Sequence, residues 1–319
     1  MRRGLLIPFA VYTENAVQDA LRFAKATASN LLARFAPGTY VRLTRQTGRG
    51  AREDSVEDVA VYFERCFADY RQQLGVTEYD AGTWLRGLHV LEYGPGDILG
   101  TALMFHAYGA AEVECVDRFP MQQVSAWNAA VYRALVARMP EPARARAQAA
   151  FVVAGEPASG LRPDAVSYRV TPDGLAARQG AFDLIVSRAV LEHVNSLEAT
   201  LRDVATCLRP RGVSVHNVDL RSHNLDRYRP FDFLTWPEPL YRLMYSHKGF
   251  PNRWRPDAYR AILRGLPLLL RTMEPTGRIA VDDVERIRPH VARHLRGASA
   301  DDLAWTGFWL CLEALEPAP

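Results

Sequence analysis

Two short stretches of this chain bring together residue types that do chemistry. The first is Val90-Leu91-Glu92-Tyr93-Gly94-Pro95-Gly96-Asp97, with Asp117 further on. Glycines after an apolar strand let the backbone turn sharply and approach a ligand. The helix start beyond them adds free N–H donors for an anionic group. Asp117 closes the next apolar run, 23 residues after Gly94. A carboxylate there can accept both ribose hydroxyl protons of a nucleotide-like cofactor. The second stretch is His216-Asn217-Val218-Asp219-Leu220-Arg221-Ser222-His223. It leaves a strand-like run, and His223 or Asp219 is placed to take a proton from an acceptor hydroxyl, with His193 as the next candidate base. His216 lies inside the strand pattern and reads as a packed core histidine. Asp219, His223 and Asp226 also offer oxygen and nitrogen donors. The two aspartates are not spaced as magnesium prefers, so no metal is expected.

The elements that must position these residues follow from periodicity. Asn15–Phe35 and Ser55–Leu74 keep helical spacing, with Ser55 as a cap and Glu57 and Asp58 in the first turn. Pro37-Gly38 is expected to end the first helix, and 44–54 reads as a polar loop. From Leu88 the pattern becomes short strands alternating with helices. Strands are expected at Leu88–Tyr93, Val113–Asp117, Ala165–Val170, Phe182–Ser187 and Gly212–Val218. Helices are expected at Ile98–Tyr108, Met121–Met139 and Leu197–Leu208, while 140–163 has no clear assignment. The alternation predicts an α/β fold with a doubly wound parallel sheet. After an aromatic, charged stretch at about 219–255, the expectation is helix Asp257–Leu266, strand Leu268–Met273, helix Val281–Leu295 and strand Thr306–Leu312. The two late strands suggest an antiparallel hairpin. The reading of the whole is an N-terminal helical extension (1–87) and one catalytic domain (88–319) with a lid insertion at about 219–255.

A dinucleotide site would have its third glycine at position 99, but that residue is Leu99 and the glycine is Gly100. Glu92-x-Gly94-x-Gly96 with Asp117 instead resembles motifs I and II of class I S-adenosylmethionine-dependent methyltransferases. Phe182-Asp183-Leu184-Ile185-Val186-Ser187-Arg188-Ala189-Val190-Leu191-Glu192-His193-Val194 resembles the segment that follows motif III in many small-molecule members. Leu208-Arg209-Pro210-Arg211-Gly212 resembles their helix-turn-strand. Together these cover 88–218 in the right order. The resemblance implies a Rossmann-like sheet and S-adenosylmethionine as cofactor. It implies that Glu92, Gly94, Gly96 and Asp97 line the methionine end and that Asp117 and Arg118 hold the ribose. By the same resemblance Asp173 would meet the adenine amine, and Ser187 and Arg188 would sit beside the sulfonium. Tyr93 departs from the small or aliphatic residue common in this loop.

A narrower resemblance, carried by 54–74, 91–97, Asp219–His223, Asp232-Phe233-Leu234 and Asn252-Arg253-Trp254-Arg255, is to a bacterial group often encoded with surface-polysaccharide genes. It implies O-methylation of a glycan, sugar or related small polar acceptor. Trp236 would stack on the acceptor, and Asn252, Arg253 and Arg255 would clamp a carboxylate or phosphate. The alternatives are a natural-product O- or N-methyltransferase and, in another class, a non-catalytic cofactor-binding partner subunit.

Composition narrows this further. The 319 residues are 48% hydrophobic and 24% charged, as in a globular protein. No apolar run reaches the ~18 residues that span a bilayer. Cys66, Cys115, Cys207 and Cys311 lie far apart, which excludes a disulfide framework or zinc ribbon. The net charge of +3 is too small to argue for nucleic acid. The motifs of amino-directed or cytosine-C5 DNA methylation are absent too. Only Lys25 and Lys248 are lysines, so 37 of the 39 basic residues are arginine, read mainly as a genomic bias. Residues 1–50 hold eight basic residues against Glu14 and Asp19. This basic segment suggests peripheral contact with an anionic membrane surface. Gly4–Tyr12, after Arg2 and Arg3, is short, contains Pro8 and has no clear cleavage site. A cytoplasmic protein is therefore expected rather than a secreted one.

Overall fold

A computed structural model describes residues 16–45, 47–49, 55–77, 81–249 and 251–316. The basic, apolar stretch Arg2–Tyr12 lies outside them. Twelve helices and seven strands follow one another among the described residues. The N-terminal helices are α1 (Ala16–Phe35), α2 (Pro37–Thr44), α3 (Val56–Gln73) and the single turn α4 (Ala81–Trp84). The alternating region is β1 (His89–Tyr93), α5 (Gly100–Ala107), β2 (Glu112–Asp117), α6 (Ala126–Arg138), α7 (Ala143–Ala149), β3 (Val166–Val170), β4 (Phe182–Arg188), α8 (Leu197–Cys207) and β5 (Leu208–Asp219). Then come α9 (Glu238–Tyr245), α10 (Pro256–Leu263), β6 (Leu268–Arg278), α11 (Val281–Ile287), α12 (Ala300–Ala304) and β7 (Trp305–Ala314).

The strands form one sheet in the order β3-β2-β1-β4-β5-β7-β6. The first five are parallel and β7 runs antiparallel between β5 and β6. This is the α/β, doubly wound architecture with a late antiparallel pair that the alternation predicts. Strand order reverses between β1 and β4, and a crevice opens at their carboxyl ends. Tyr93 and Ser187 are paired at that edge.

Side-chain alternation along the strands sends two apolar sets to opposite faces. Val90, Leu184 and Val186 join Phe63, Phe67, Leu103, Phe105 and Leu135 from α3, α5 and α6. Leu91, Ile185 and Leu310 join Leu201 and Val204 of α8 and Tyr259 and Leu263 of α10. Burying each such large side chain contributes about 1.5–3 kcal/mol, so the sheet edge that carries the site is rigid. Ser55 and Asp58 complete a capping box that starts α3 where the sequence places it.

Local differences have local causes. Pro37 does not only end α1; it occupies the first turn of α2, where its missing N–H costs nothing. The helix expected from Met121 begins at Ala126, because Ser125 caps it by accepting from the Asn128 N–H. The helix expected over 281–295 breaks after Ile287 into two short 3-10 turns, where Pro289 interrupts the hydrogen-bond ladder. β6 extends beyond its predicted end because β7 pairs along it, and β5 gains Asp219 opposite Gly307 of β7 and Leu208 opposite Phe182 of β4. The unassigned 140–163 contains α7 and a 3-10 turn, Pro157–Ser159. All four cysteines are buried and free. Among the described residues no helix is long and apolar enough to cross a membrane.

The 219–255 stretch has its own apolar cluster. Phe231, Phe233, Trp236, Tyr241 and Tyr245 pack with Val284, Ile287 and Leu303, and Phe23 and Ala26 of α1 cover them. Polar contacts fix that packing. Asn30 donates to the Leu243 carbonyl at 3.0 Å and accepts the His247 and Lys248 N–H groups at 2.8 and 3.0 Å. Lys248 Nζ donates to the Ala26 carbonyl at 2.9 Å and to Ser29 Oγ at 2.7 Å. The N-terminal helices and the 219–255 stretch are thus clasped together over the carboxyl edge of the sheet.

Candidate active site

A cavity of about 830 Å³ opens at the β1–β4 switch point. Its floor is the turn after β1. Gly94 and Gly96 both have positive φ, 63° and 81°. A Cβ on Gly94 would lie 2.5 Å from Val190 Cγ2, and one on Gly96 would lie 2.5 Å from the Thr47 carbonyl. The close approach at Gly96 is therefore made by the chain's own segment 47–49. Asp117 lines the cavity at the end of β2 and accepts the Phe119 N–H at 3.1 Å. Burial pushes its pKa up to about 6. Arg118 donates to Asn195 Oδ1 at 2.6 Å and lies over the Phe119 ring. Asp173 stands at the exposed rim beside Gly174.

The opposite wall comes from the ends of β4 and β5. His193 and His223 are edge to face, with ring centroids 4.8 Å apart. His223 Nε2 faces Asp219 Oδ2 at 3.5 Å. Arg221 grips the same carboxylate, its Nε lying 2.8 Å from Oδ1. Burial works to raise the Asp219 pKa, but the hydrogen bonds from Arg221 and His223 outweigh it and hold the carboxylate well below its usual range. Burial, with His223 next, pulls the His193 pKa down to about 3, so this imidazole is neutral.

Of the residues singled out from sequence, Gly94, Gly96, Asp117, Arg118, Asp173, His193, Asp219 and His223 line this one cavity. The others lie elsewhere. Glu92 is buried beneath the turn, with Cys115 Sγ 3.9 Å from Oε2, and burial pushes its pKa up to about 8. Asp97 is ion-paired with Arg49. Ser187 Oγ is buried against His216 Nδ1 at 2.7 Å. Arg188 alternates to the α3 side of the sheet, where it pairs with Asp69 at 2.8 Å and lies near the Tyr62 and Trp309 rings.

The expected acceptor clamp is placed differently. Arg255 is 1% exposed and donates to the Leu220 carbonyl at 3.2 Å, the Leu303 carbonyl at 3.3 Å and the Trp305 carbonyl. Arg253 donates to the Trp236 carbonyl at 2.6 Å, pairs with Glu238 and lies over the Tyr241 ring. Asn252 Nδ2 donates to the Leu191 carbonyl at 2.7 Å. Trp236 is packed in the insertion's apolar cluster beneath Arg227. Arg253 satisfies backbone within the 219–255 stretch, and Arg255 and Asn252 tie that stretch to carbonyls outside it at Leu303, Trp305 and Leu191. Tyr93, the departure in the loop, is explained too: its hydroxyl reaches Asp203 on α8.

The cavity also has walls that sequence reasoning did not find. Arg45, Thr47, Gly48 and Arg49 come from the stretch read as a loop, and Lys248 and Gly249 from the insertion. A run of arginines and glycines next to an assigned helix was the available signal, but nothing local says where such a loop docks.

A family model described as a methyltransferase domain matches residues 62–266. No curated protein matches the chain. Among solved structures, an S-adenosylmethionine-dependent methyltransferase from Mesorhizobium loti is similar, at 17% identity and a TM-score of 0.40, over 72% of this chain and 92% of that one. So is phosphoethanolamine N-methyltransferase 2 from Haemonchus contortus, in complex with S-adenosyl-L-methionine. The figures there are 16% identity, a TM-score of 0.39, and 73% and 49% coverage. The matched region runs from α3 through α10, so this chain belongs to the methyltransferase domain family, and its sheet has the Rossmann-like order.

Proposed function

We propose that the protein O-methylates a glycan, sugar or related small polar acceptor. The observation that carries this reading is the continuity of the cavity. One space runs from the Gly94–Gly96 turn and Asp117 to His193, Asp219 and His223. Its volume lies in the ~300–1,000 Å³ range of small-molecule sites. Arg45 on its wall suits a polar or anionic acceptor.

The donor set fits the cofactor. Gly94 and Gly96 would let the methionine end approach the turn, whose Asp97 N–H is taken by the Thr47 carbonyl, Asp117 and Arg118 would hold the ribose, and Asp173 would meet the adenine. S-adenosylmethionine supplies a methyl group already activated by the sulfonium. What remains for the chain is to orient the acceptor and take up its proton. His223, held by Asp219, stands at the acceptor end for that work. Glu92 and Asp97 act through the shape and charge of the turn.

We read 1–87 as a helical extension, 88–319 as the catalytic domain and 219–255 as a lid. Contacts such as Asn30–Lys248 make extension and lid one cover. The outer face of α1 exposes Val17, Leu21, Leu31 and Phe35 beside Arg22, Lys25 and Arg34. This supports peripheral contact of a cytoplasmic enzyme with an anionic membrane, such as one that carries surface-polysaccharide precursors.

The test is a methyl-transfer assay over a panel of sugars, oligosaccharides, phenols and amines. A hydroxyl acceptor from the sugar set is expected. His223→Ala should keep cofactor binding and lose roughly 10²–10⁴-fold in turnover. Transfer to amines alone would overturn the O-methylation reading.

A further inference from the structure

The carboxylate of Glu192 follows β4 in the 3-10 turn Leu191–His193. It is 1% exposed, and neither oxygen makes a well-formed hydrogen bond, although the backbone N–H groups of Glu192 and Asp219 lie near enough to favour its charge. Next to it, His193 Nδ1 is also buried and makes no well-formed hydrogen bond, although the ring interacts with the Gly249 backbone. His193 Nε2 lies 3.8 Å from Glu192 Oε1, too long for a hydrogen bond. One ligand atom each from Glu192, His193 and His223 all fall within 4.8 Å of one another. His223 is in turn backed by Asp219, the carboxylate-behind-histidine arrangement that orients metal-binding imidazoles.

Two explanations compete for this cluster. Burial raises the Glu192 pKa well above its normal value, which would make the side chain a neutral acid. A neutral acid, however, carries an O–H that also needs an acceptor, and an unmet buried donor costs about 1–3 kcal/mol. A cation satisfies both carboxylate and imidazoles at once.

We infer that Glu192, His193 and His223 hold a divalent transition-metal cation in the cavity wall, where His193 and His223 line the cavity and Glu192 lies buried behind them. Two imidazoles and one carboxylate favour zinc, manganese, iron or cobalt over magnesium or calcium. This differs from the donors the sequence offered, since Asp226 is turned to the Phe233 N–H at 3.4 Å. The inference rests on the acceptor-site reading above and refines it. His223 becomes a ligand, and Asp219 orients it. The cation binds the acceptor hydroxyl and lowers its pKa, and the hydroxyl proton leaves to solvent.

The experiment uses untagged full-length protein, stripped with chelator and dialysed. Zinc, manganese and magnesium ions are titrated calorimetrically, and cobalt(II) binding is followed by visible absorption. S-adenosylhomocysteine binding is measured on the same samples. Stoichiometric binding of zinc or manganese, far tighter than magnesium, is expected. His223→Ala and Glu192→Gln should each weaken it by about 10–100-fold and remove the cobalt bands while retaining S-adenosylhomocysteine binding. His223 is exposed, so its variant tests the site even where Glu192→Gln fails to fold. No uptake by the wild type, or uptake equal in wild type and His223→Ala, overturns the proposal. Failure of S-adenosylhomocysteine to bind the wild type would instead strike the cofactor reading, and the metal titration is scored independently of it.

Discussion

The backbone N–H of Asp97 donates to the carbonyl of Thr47 at 3.2 Å. A residue from the N-terminal extension thus takes a donor at the glycine turn, and Gly48 lies against Gly96 so closely that a Cβ on Gly48 would sit 2.9 Å from the Gly96 Cα. Arg49 locks the arrangement through its ion pair with Asp97, both side chains being largely buried. Segment 47–49 therefore closes the end of the cavity proposed for the cofactor. Arg49→Ala removes the lock, and ligand exchange should quicken. Stopped-flow measurement of S-adenosylhomocysteine release is expected to show a roughly tenfold faster off-rate, the equivalent of one charge-assisted hydrogen bond. An unchanged rate would show that 47–49 does not gate the site.

The ribose contact proposed for Asp117 makes cofactor affinity depend on pH. Ribose hydroxyls need an accepting carboxylate, and burial holds this one at about pH 6. Below that pH it is protonated and accepts less well. Calorimetric affinity for S-adenosylhomocysteine should therefore fall as pH drops from 7.5 through 6. Asp117→Asn should bind roughly 10–100-fold more weakly at pH 7.5 and lose most of the pH dependence.

Arg255 serves the fold rather than the acceptor. Its guanidinium satisfies carbonyls of Leu220, Leu303 and Trp305 between the insertion and β7. Arg255→Met leaves them buried and unpaired, at a cost on the order of 3 kcal/mol in thermal or denaturant unfolding. The acceptor KM of the folded variant should not change. A raised KM with unchanged stability would restore the clamp that the sequence suggests.

How much was legible in the sequence follows from the range of the forces involved. The strands, the glycine turn and Asp117 are set by local pattern: a buried parallel strand is an apolar run, and its ligand turn must be glycine. Arg188 and Ser187 show the limit. Motif position puts both at the sheet edge, but strand alternation points one toward α3 and the other into the core. Arg253 and Arg255 show a second limit. A charged cluster reads as a ligand clamp until the three-dimensional path of the insertion reveals which carbonyls need donors. The cover formed by Asn30 and Lys248 joins residues 218 positions apart, a separation that no local pattern encodes.

Glu92 provides a stability test. It is fully buried, and burial raises its pKa from 4.5 to about 8. Below about pH 4.5 the side chain is protonated both folded and unfolded, and it imposes no penalty. As pH rises the unfolded chain ionises first, so the folded state loses stability progressively until pH 8, where Glu92 ionises in place. The expected loss across that window is on the order of a few kcal/mol. Melting temperatures of the wild type should decline from pH 5 to pH 8, and those of Glu92→Gln should decline less because its amide cannot ionise. The proposed role at the methionine end adds a second readout. An ammonium group brought near Glu92 would favour its charged form and lower its pKa. Saturating S-adenosylhomocysteine should then flatten the wild-type slope and leave that of Glu92→Gln unchanged. A slope that ligand does not alter would place Glu92 beneath the turn as a packing residue only.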